Sequence, residues 1–399
     1  MNLPSRIPGL RLLHSPGPTR VPDEVLHAMA RQPMDLADRR VGELVAACES
    51  GLLALLQTTT AEVFFYAANG HGGWEAVIAN LVAPGGTILV PGTGHFSDGW
   101  AEQVRAFGGQ ALRTPYTEGR PIDARAVEAA LRDDTAHAIG AVFVVHTDTA
   151  SGTTCDLAAL RHAIDAAGHP ALFVVDVVAS LAAAPFAMDA LGVDVAMGAA
   201  QKGLMLPPGL AFVAASARAL EAARRNPAAR FYWDWERRRS DLTYRKFCGT
   251  PPHAHLAGLQ AALGLIAAEG LEQVHARHAR LARAVHAAAG RWADGGAMRL
   301  HTTDPAARSV SVTAIELVAG LDPEALRTVA RERFQVAIAG GLGPLHGRVF
   351  RIGHLGDINE AMLLGCLAAV EAAMVVQGIP HGTHGVDAAI ASLCVDANA

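Results

Sequence analysis

Between residues 62 and 215 short apolar runs alternate with helix-like ones, and this alternation restricts the fold more than any other property of the chain. Strand-like runs cover 62–68, 86–91, 139–149, 171–177, 193–198 and 210–215, and helix-like segments at 72–81, 97–107 and 156–167 lie between them. The run at 171–177 is apolar at every position except Asp176, as a strand covered on both faces requires. Strands separated by helices predict an α/β unit with a mostly parallel sheet between helix layers. Ligands of such sheets lie beyond the carboxyl ends of the strands, where loops lead into helices.

Thr250-Pro251-Pro252 precedes a long helical region over 255–289, and strand-like runs at 309–317, 335–338 and 349–352 follow, flanked by helices at 323–333 and 360–375. This predicts a second, smaller α+β unit. The expected organisation is an N-terminal arm (1–20), a large domain (21–268) and a small C-terminal domain (269–399), with the boundary inside the long helix. With 51% hydrophobic and 18% charged residues, the 399-residue chain is not a disordered one. The net charge of −5 argues against nucleic acid or an acidic membrane as partner. No uninterrupted apolar run of roughly 18 residues occurs, so no membrane span is expected, and residues 1–13 lack the apolar core of a secretory leader. Five cysteines without paired spacing suit a reducing, cytoplasmic setting.

The chain has 31 arginines but only two lysines, Lys202 and Lys246. Lysine can lose its proton and form a Schiff base with a carbonyl, which guanidinium cannot. Lys202, in Ala200-Gln201-Lys202-Gly203, follows an apolar strand, and Asp176 ends another strand 26 residues earlier. A Schiff-base lysine with a buried carboxylate points to pyridoxal 5′-phosphate, whose protonated ring nitrogen would pair with Asp176. The plainer alternative makes Asp176 a strand-end residue that caps a helix.

Other segments fit the same chemistry, each with a structural alternative. Asn69-Gly70-His71-Gly72-Gly73 joins a strand to a helix start, where free N–H groups bind phosphate, although glycine-rich turns after strands are common. Phe96 is either a ring stacked on a cofactor or a core side chain. Arg351, inside an apolar strand, is either a bidentate clamp for a carboxylate or half of a structural ion pair. His275 and His278, three apart on a helix, read as a solvated face rather than as metal ligands, and so do His381 and His384; no metal is expected.

Together these residues resemble the class V aminotransferases of pyridoxal phosphate fold-type I, in particular the alanine–, serine– and aspartate–glyoxylate aminotransferases. The likeness runs from Ser15-Pro16-Gly17-Pro18-Thr19 to Phe350-Arg351-Ile352-Gly353-His354-Leu355-Gly356, and its most specific part is Gln201-Lys202-Gly203-Leu204-Met205-Leu206-Pro207-Pro208-Gly209-Leu210. The resemblance implies a large domain with a mostly parallel seven-stranded sheet and a smaller α+β C-terminal domain. It implies that Lys202 carries the cofactor and shuttles the proton, and that Asp176 holds the pyridine nitrogen between Val178 and Phe96. Asn69, Gly70, His71 and Gln201 would bind the phosphate, Thr149 the ring, and Arg351 and Gly17 the substrate. Thr250 would reach the phosphate of a neighbouring subunit, which makes a homodimer with shared active sites.

Two positions depart from the family pattern. Phe247 stands where relatives have tyrosine, and Asp35-Leu36-Ala37 where they often read Asp-His-Arg. The expected activity is transfer of an amino group from alanine, serine or aspartate to a 2-oxo acid, glyoxylate or pyruvate. The alternatives are a pyridoxamine–pyruvate or aminophosphonate aminotransferase, the first suggested by Phe231-Tyr232-Trp233-Asp234-Trp235-Glu236 and Thr147-Asp148-Thr149, or a lyase of the same fold.

Overall fold

The computed structural model describes residues 9–395; the first eight positions of the expected arm and residues 396–399 lie outside the described residues. A seven-stranded sheet runs in the spatial order Glu62–Tyr66, Ala211–Ala215, Val195–Ala199, Leu172–Asp176, Ile139–Val145, Thr87–Leu89, Gln110–Leu112. Ala211–Ala215 is antiparallel to both neighbours and every other pairing is parallel. In the central strand Phe173 and Val175 face one apolar core, with Val127 and Leu160. Leu172 and Val174 face the other, with Trp74 and Trp100. Two-residue periodicity therefore sends Asp176 to the tryptophan side.

Helix Gly70–Leu81 begins two residues before its expected start, because the Asn69 side chain caps it by accepting from Gly72 N–H (3.3 Å). Helix His95–Ala106 also begins two residues early: the Ser97 hydroxyl accepts from the Thr93 and Gly94 amides and closes the turn. The expected strand over 139–149 is instead the strand Ile139–Val145 followed by a short hairpin, Thr147–Asp148 against Thr153–Thr154.

The single long helix expected over 255–289 is two helices, His253–Glu269 and Leu271–Ala293, bent by 84°. They meet at Gly270, whose φ of 87° ends the first helix in a conformation that only glycine adopts readily. The bend also corrects the reading of His278 as solvated. His278 is buried, its Nδ1 faces Val274 O (2.7 Å) and its Nε2 accepts from Gly356 N–H (3.1 Å). Burial pushes its pKa down to about 4.

A second, five-stranded sheet has the order Leu12–His14, Val336–Gly340, Val349–Gly353, Val312–Leu317, Met298–Leu300. Its core, around Trp292, Phe350 and Leu367, is separate from the two cores of the larger sheet. The N-terminal segment is thus an edge strand of the C-terminal sheet, parallel to Val336–Gly340, and residues 15–19 run from it to the larger sheet. Glu360–Gln377 has the length and hydropathy of a membrane span, but Leu363, Leu367, Val370 and Met374 on it are buried in this core.

Candidate active site

Three strands converge on one cavity of about 290 Å³: Ile139–Val145 brings Val145, Leu172–Asp176 brings Asp176, and Val195–Ala199 leads to Gln201 and Lys202. Gly17, Asn69, Gly70, His71, Phe96, Thr149 and Val178 also line it. The structure thus brings together every site residue expected from the sequence except Arg351 and Thr250. A larger cavity, about 540 Å³, follows the edge strand Glu62–Tyr66 and contains none of these residues. It contains the other lysine, Lys246, whose ammonium is paired with Glu49 (2.6 Å).

Asp176 is 5% exposed and has two neutral donors: Trp74 Nε1–H to Oδ2 (2.8 Å) and Val178 N–H to Oδ1 (2.7 Å). No cationic nitrogen lies within salt-bridge distance among the described residues. Burial lifts its pKa to about 6, against the downward pull of these two bonds and of Lys202. The helix-capping alternative is not realised, since the Val178 bond caps a turn with no helix after it, and Trp74 fixes the carboxylate in the cavity wall. The sequence reading missed Trp74. It lies four positions after Gly70 on a helix, on the same face of the phosphate-type turn, and a buried carboxylate in an apolar strand needs such a donor.

Lys202 is 9% exposed. Its backbone is held in a tight turn by Met205 N–H to Lys202 O (3.0 Å) and from outside by the Thr19 hydroxyl to the same oxygen (3.1 Å). The N-terminal segment lies against its side chain: a Cβ at Gly17 would be 2.5 Å from both Lys202 Cδ and Cε. Burial and the charge of Arg351 lower its pKa to about 8, while Asp176 and Asp148 oppose the shift. At pH 7 about a tenth of this amine is neutral, against roughly one part in three thousand for a free lysine.

Arg351 is 5% exposed in the strand Val349–Gly353 of the smaller sheet. Nε donates to Gly340 O (2.6 Å) and Nη1 to Thr149 O (2.6 Å), so the guanidinium ties the smaller sheet to the turn of the Thr147–Asp148 hairpin through backbone carbonyls. The ion-pair alternative is not realised: no carboxylate is paired with it among the described residues. It remains charged, with a pKa lowered by burial to about 10.

Thr250 is exposed and does not line this chain's cavity. Phe247 is buried and stacks on Phe65 (centroids 6.0 Å apart, planes 5° apart), whereas Tyr244 is 58% exposed. Trp233 from the 231–236 segment packs near Gly72 and against Tyr66, outside the cavity lining.

Residues 11–347 match the family described as Aminotransferase class-V. The chain is 38% identical over 367 residues, 92% of its length and 91% of the relative's, to an L-aspartate–glyoxylate aminotransferase of Paracoccus denitrificans. It is 38% identical over 380 residues, 94% of each chain, to a serine–glyoxylate aminotransferase of Methylorubrum extorquens. Among solved structures, a pyridoxamine–pyruvate aminotransferase from Mesorhizobium loti superposes with a TM-score of 0.88 at 26% identity, covering 100% of both chains.

Proposed function

Because the chain belongs to the class V aminotransferases, we propose that it transfers the amino group of a small amino acid (alanine, serine or aspartate) to glyoxylate or pyruvate, with pyridoxal 5′-phosphate held at Lys202. The observation that carries this reading is a buried lysine of lowered pKa sharing one cavity with a buried carboxylate that has no cationic partner among the described residues.

The residues fit this cofactor. Asp176 offers a negative charge to a protonated ring nitrogen, and the N-terminus of Gly70–Leu81 offers amides to a phosphate. Gln201 Oε1 is buried without a partner among the described residues at the edge of the cavity. Phe96 and Val178 give apolar walls, and Thr149 a hydroxyl. When bound, the cofactor supplies the electron sink into which the electrons of the substrate's Cα–H bond are drawn. Neutral Lys202 Nζ would take the Cα proton from the amino donor and, in the second half, deliver a proton to Cα of the acceptor, Asp176 would hold a proton on the ring nitrogen, and Arg351 would orient the substrate carboxylate. Over both halves one molecule exchanges an amino group for a carbonyl oxygen and the other does the reverse, so no external oxidant is needed.

The reading includes a homodimer in which Thr250, exposed in the single chain, reaches the partner's phosphate, and a cytoplasmic location, which suits five free cysteines. The pyridoxamine–pyruvate alternative is less well supported by the site, since the Asn69-capped helix start faces the cavity as a phosphate seat. Incubating purified protein and cofactor with alanine, serine or aspartate and either glyoxylate or pyruvate tests the reading. It expects stoichiometric keto acid and new amino acid from at least one pair; no product from any pair would contradict it.

Two further results are expected. Capture of pyridoxal phosphate by apo-protein, followed by absorbance, should speed up as pH rises to about 8 and then level off, because Lys202 is neutral above that pH. A rate still climbing at pH 10 would mean a solvated amine. Gly17→Ala should leave the protein folded and lower kcat about 100-fold, since the added methyl displaces the end of the Lys202 side chain. Circular dichroism and steady-state kinetics check this; wild-type kcat would show that the contact is irrelevant.

A further inference from the structure

We propose that Asp148 is a positioning residue for this reaction: its carboxylate fastens the Phe96 turn to the Thr149 turn, whose carbonyl holds Arg351, in the wall of the cavity that contains Lys202. This rests on the function proposed above.

Asp148 lies in the short hairpin that follows the strand Ile139–Val145 and is 0% exposed. Oδ2 accepts from Phe96 N–H (2.8 Å), and Oδ1 accepts from Ala150 N–H (2.8 Å) and Ser151 N–H (3.2 Å). Phe96 N–H is one of the free amides in the first turn of His95–Ala106, so Asp148 caps that helix from another element and lies at its positive end. A Cβ at Gly94 would be 2.9 Å from Oδ2, so the capping turn closes directly on the carboxylate.

The same hairpin supports the substrate clamp. Thr149 O accepts from Arg351 Nη1 (2.6 Å), and Gly152 N–H donates to Asp148 O (2.9 Å). One carboxylate thus fixes the Phe96 ring, the Thr149 hydroxyl and the carbonyl that holds Arg351. No arginine, lysine or histidine is paired with it among the described residues, so three backbone amides stabilise a buried charge.

The groups in electrostatic contact with Asp148 are His95, Tyr116, Cys155, Lys202, Arg351 and Asp176. Burial raises its own pKa, and the three amides and His95 act against that. Asp148 raises the pKa of both Lys202 and Arg351, so it offsets part of the effect of Arg351 on Lys202. It keeps two neighbouring positive charges compatible in a low-dielectric wall.

Charge and scaffolding can be separated by direction. Removing only the charge lowers the Lys202 pKa further; loosening the turns admits water and returns it toward 10.5. The experiment is pH-dependent reductive methylation of the apo-protein with mass mapping of Lys202, with Lys246, the only other lysine, as internal reference. Asp148→Asn should move the Lys202 midpoint from about 8 down by roughly half to one pH unit and leave Lys246 unchanged. An unchanged or raised midpoint overturns the electrostatic role. Asp148→Glu keeps the charge but crowds Gly94. It should retain the wild-type midpoint and lower kcat/KM roughly tenfold, and full activity in this variant overturns the positioning role. Because the methylation reads apo-protein, it gives an answer even if Lys202 proves not to carry the cofactor.

Discussion

Lys202→Ala is expected to lower kcat by on the order of 10⁴-fold, because one side chain both carries the cofactor and moves the proton. Truncation removes a buried ammonium, so the apo-protein should keep its fold and melt no lower than wild type. Small primary amines such as ethylamine can enter the emptied space next to Gly17 and act as an external base, so partial recovery of turnover with added amine is expected. Stopped-flow measurement of amino-donor consumption, with and without amine, checks this. A tenfold loss or less would place the proton transfer elsewhere.

Asp176→Asn has the second largest expected effect, a loss of about 10³-fold in kcat, since it replaces the carboxylate proposed to face the ring nitrogen with a neutral group. It also carries a stability signature. The folded pKa of Asp176 is about 6, above its ordinary 3.8, so the folded apo-protein binds a proton that the unfolded chain releases. That proton stabilises the fold below pH 4 and its contribution is lost as pH rises through 6. Between pH 4.5 and pH 7 wild-type apo-protein should therefore lose about 2 kcal/mol relative to the Asn variant. Urea melts of both proteins at the two pH values measure it. A constant difference would mean that Asp176 is solvated, contrary to its 5% exposure.

The parts of the molecule that could be read from the sequence are those governed by local pattern. The strand Leu172–Asp176 is a continuous apolar run with one carboxylate at its end, so its burial and the orientation of Asp176 both follow from periodicity. Lys202 stands out because arginine serves almost everywhere else. The parts that were hidden depend on partners distant in sequence or on one backbone angle. Leu12–His14 is three residues long and pairs with a strand near the other end of the chain. The turn of the helix at Gly270 interrupts a pattern that stays helical on both sides. Its consequence, the burial of His278 against Gly356, could not be inferred from a sequence of alanines, arginines and histidines.

Arg351 shows the limit most clearly. An arginine within an apolar strand is a visible anomaly, but that it is anchored by Thr149 O and Gly340 O rather than by a carboxylate depends on a hairpin turn 202 residues earlier packing against the smaller sheet. The roles of Trp74 and Asp148 were hidden for the same reason, although Asp148 stands in a stretch that resembles known relatives. Each is ordinary as a residue type and significant only through the atom it touches, the Asp176 carboxylate in one case and the Phe96 amide in the other.

The most direct test is to reconstitute the protein with pyridoxal 5′-phosphate, reduce it with borohydride, digest it and map the added mass. The predicted result is a phosphopyridoxyl group on the peptide containing Lys202, at about one per chain, with Lys246 unmodified. Label on Lys246, or no label at all from a protein that still transaminates, would contradict the account.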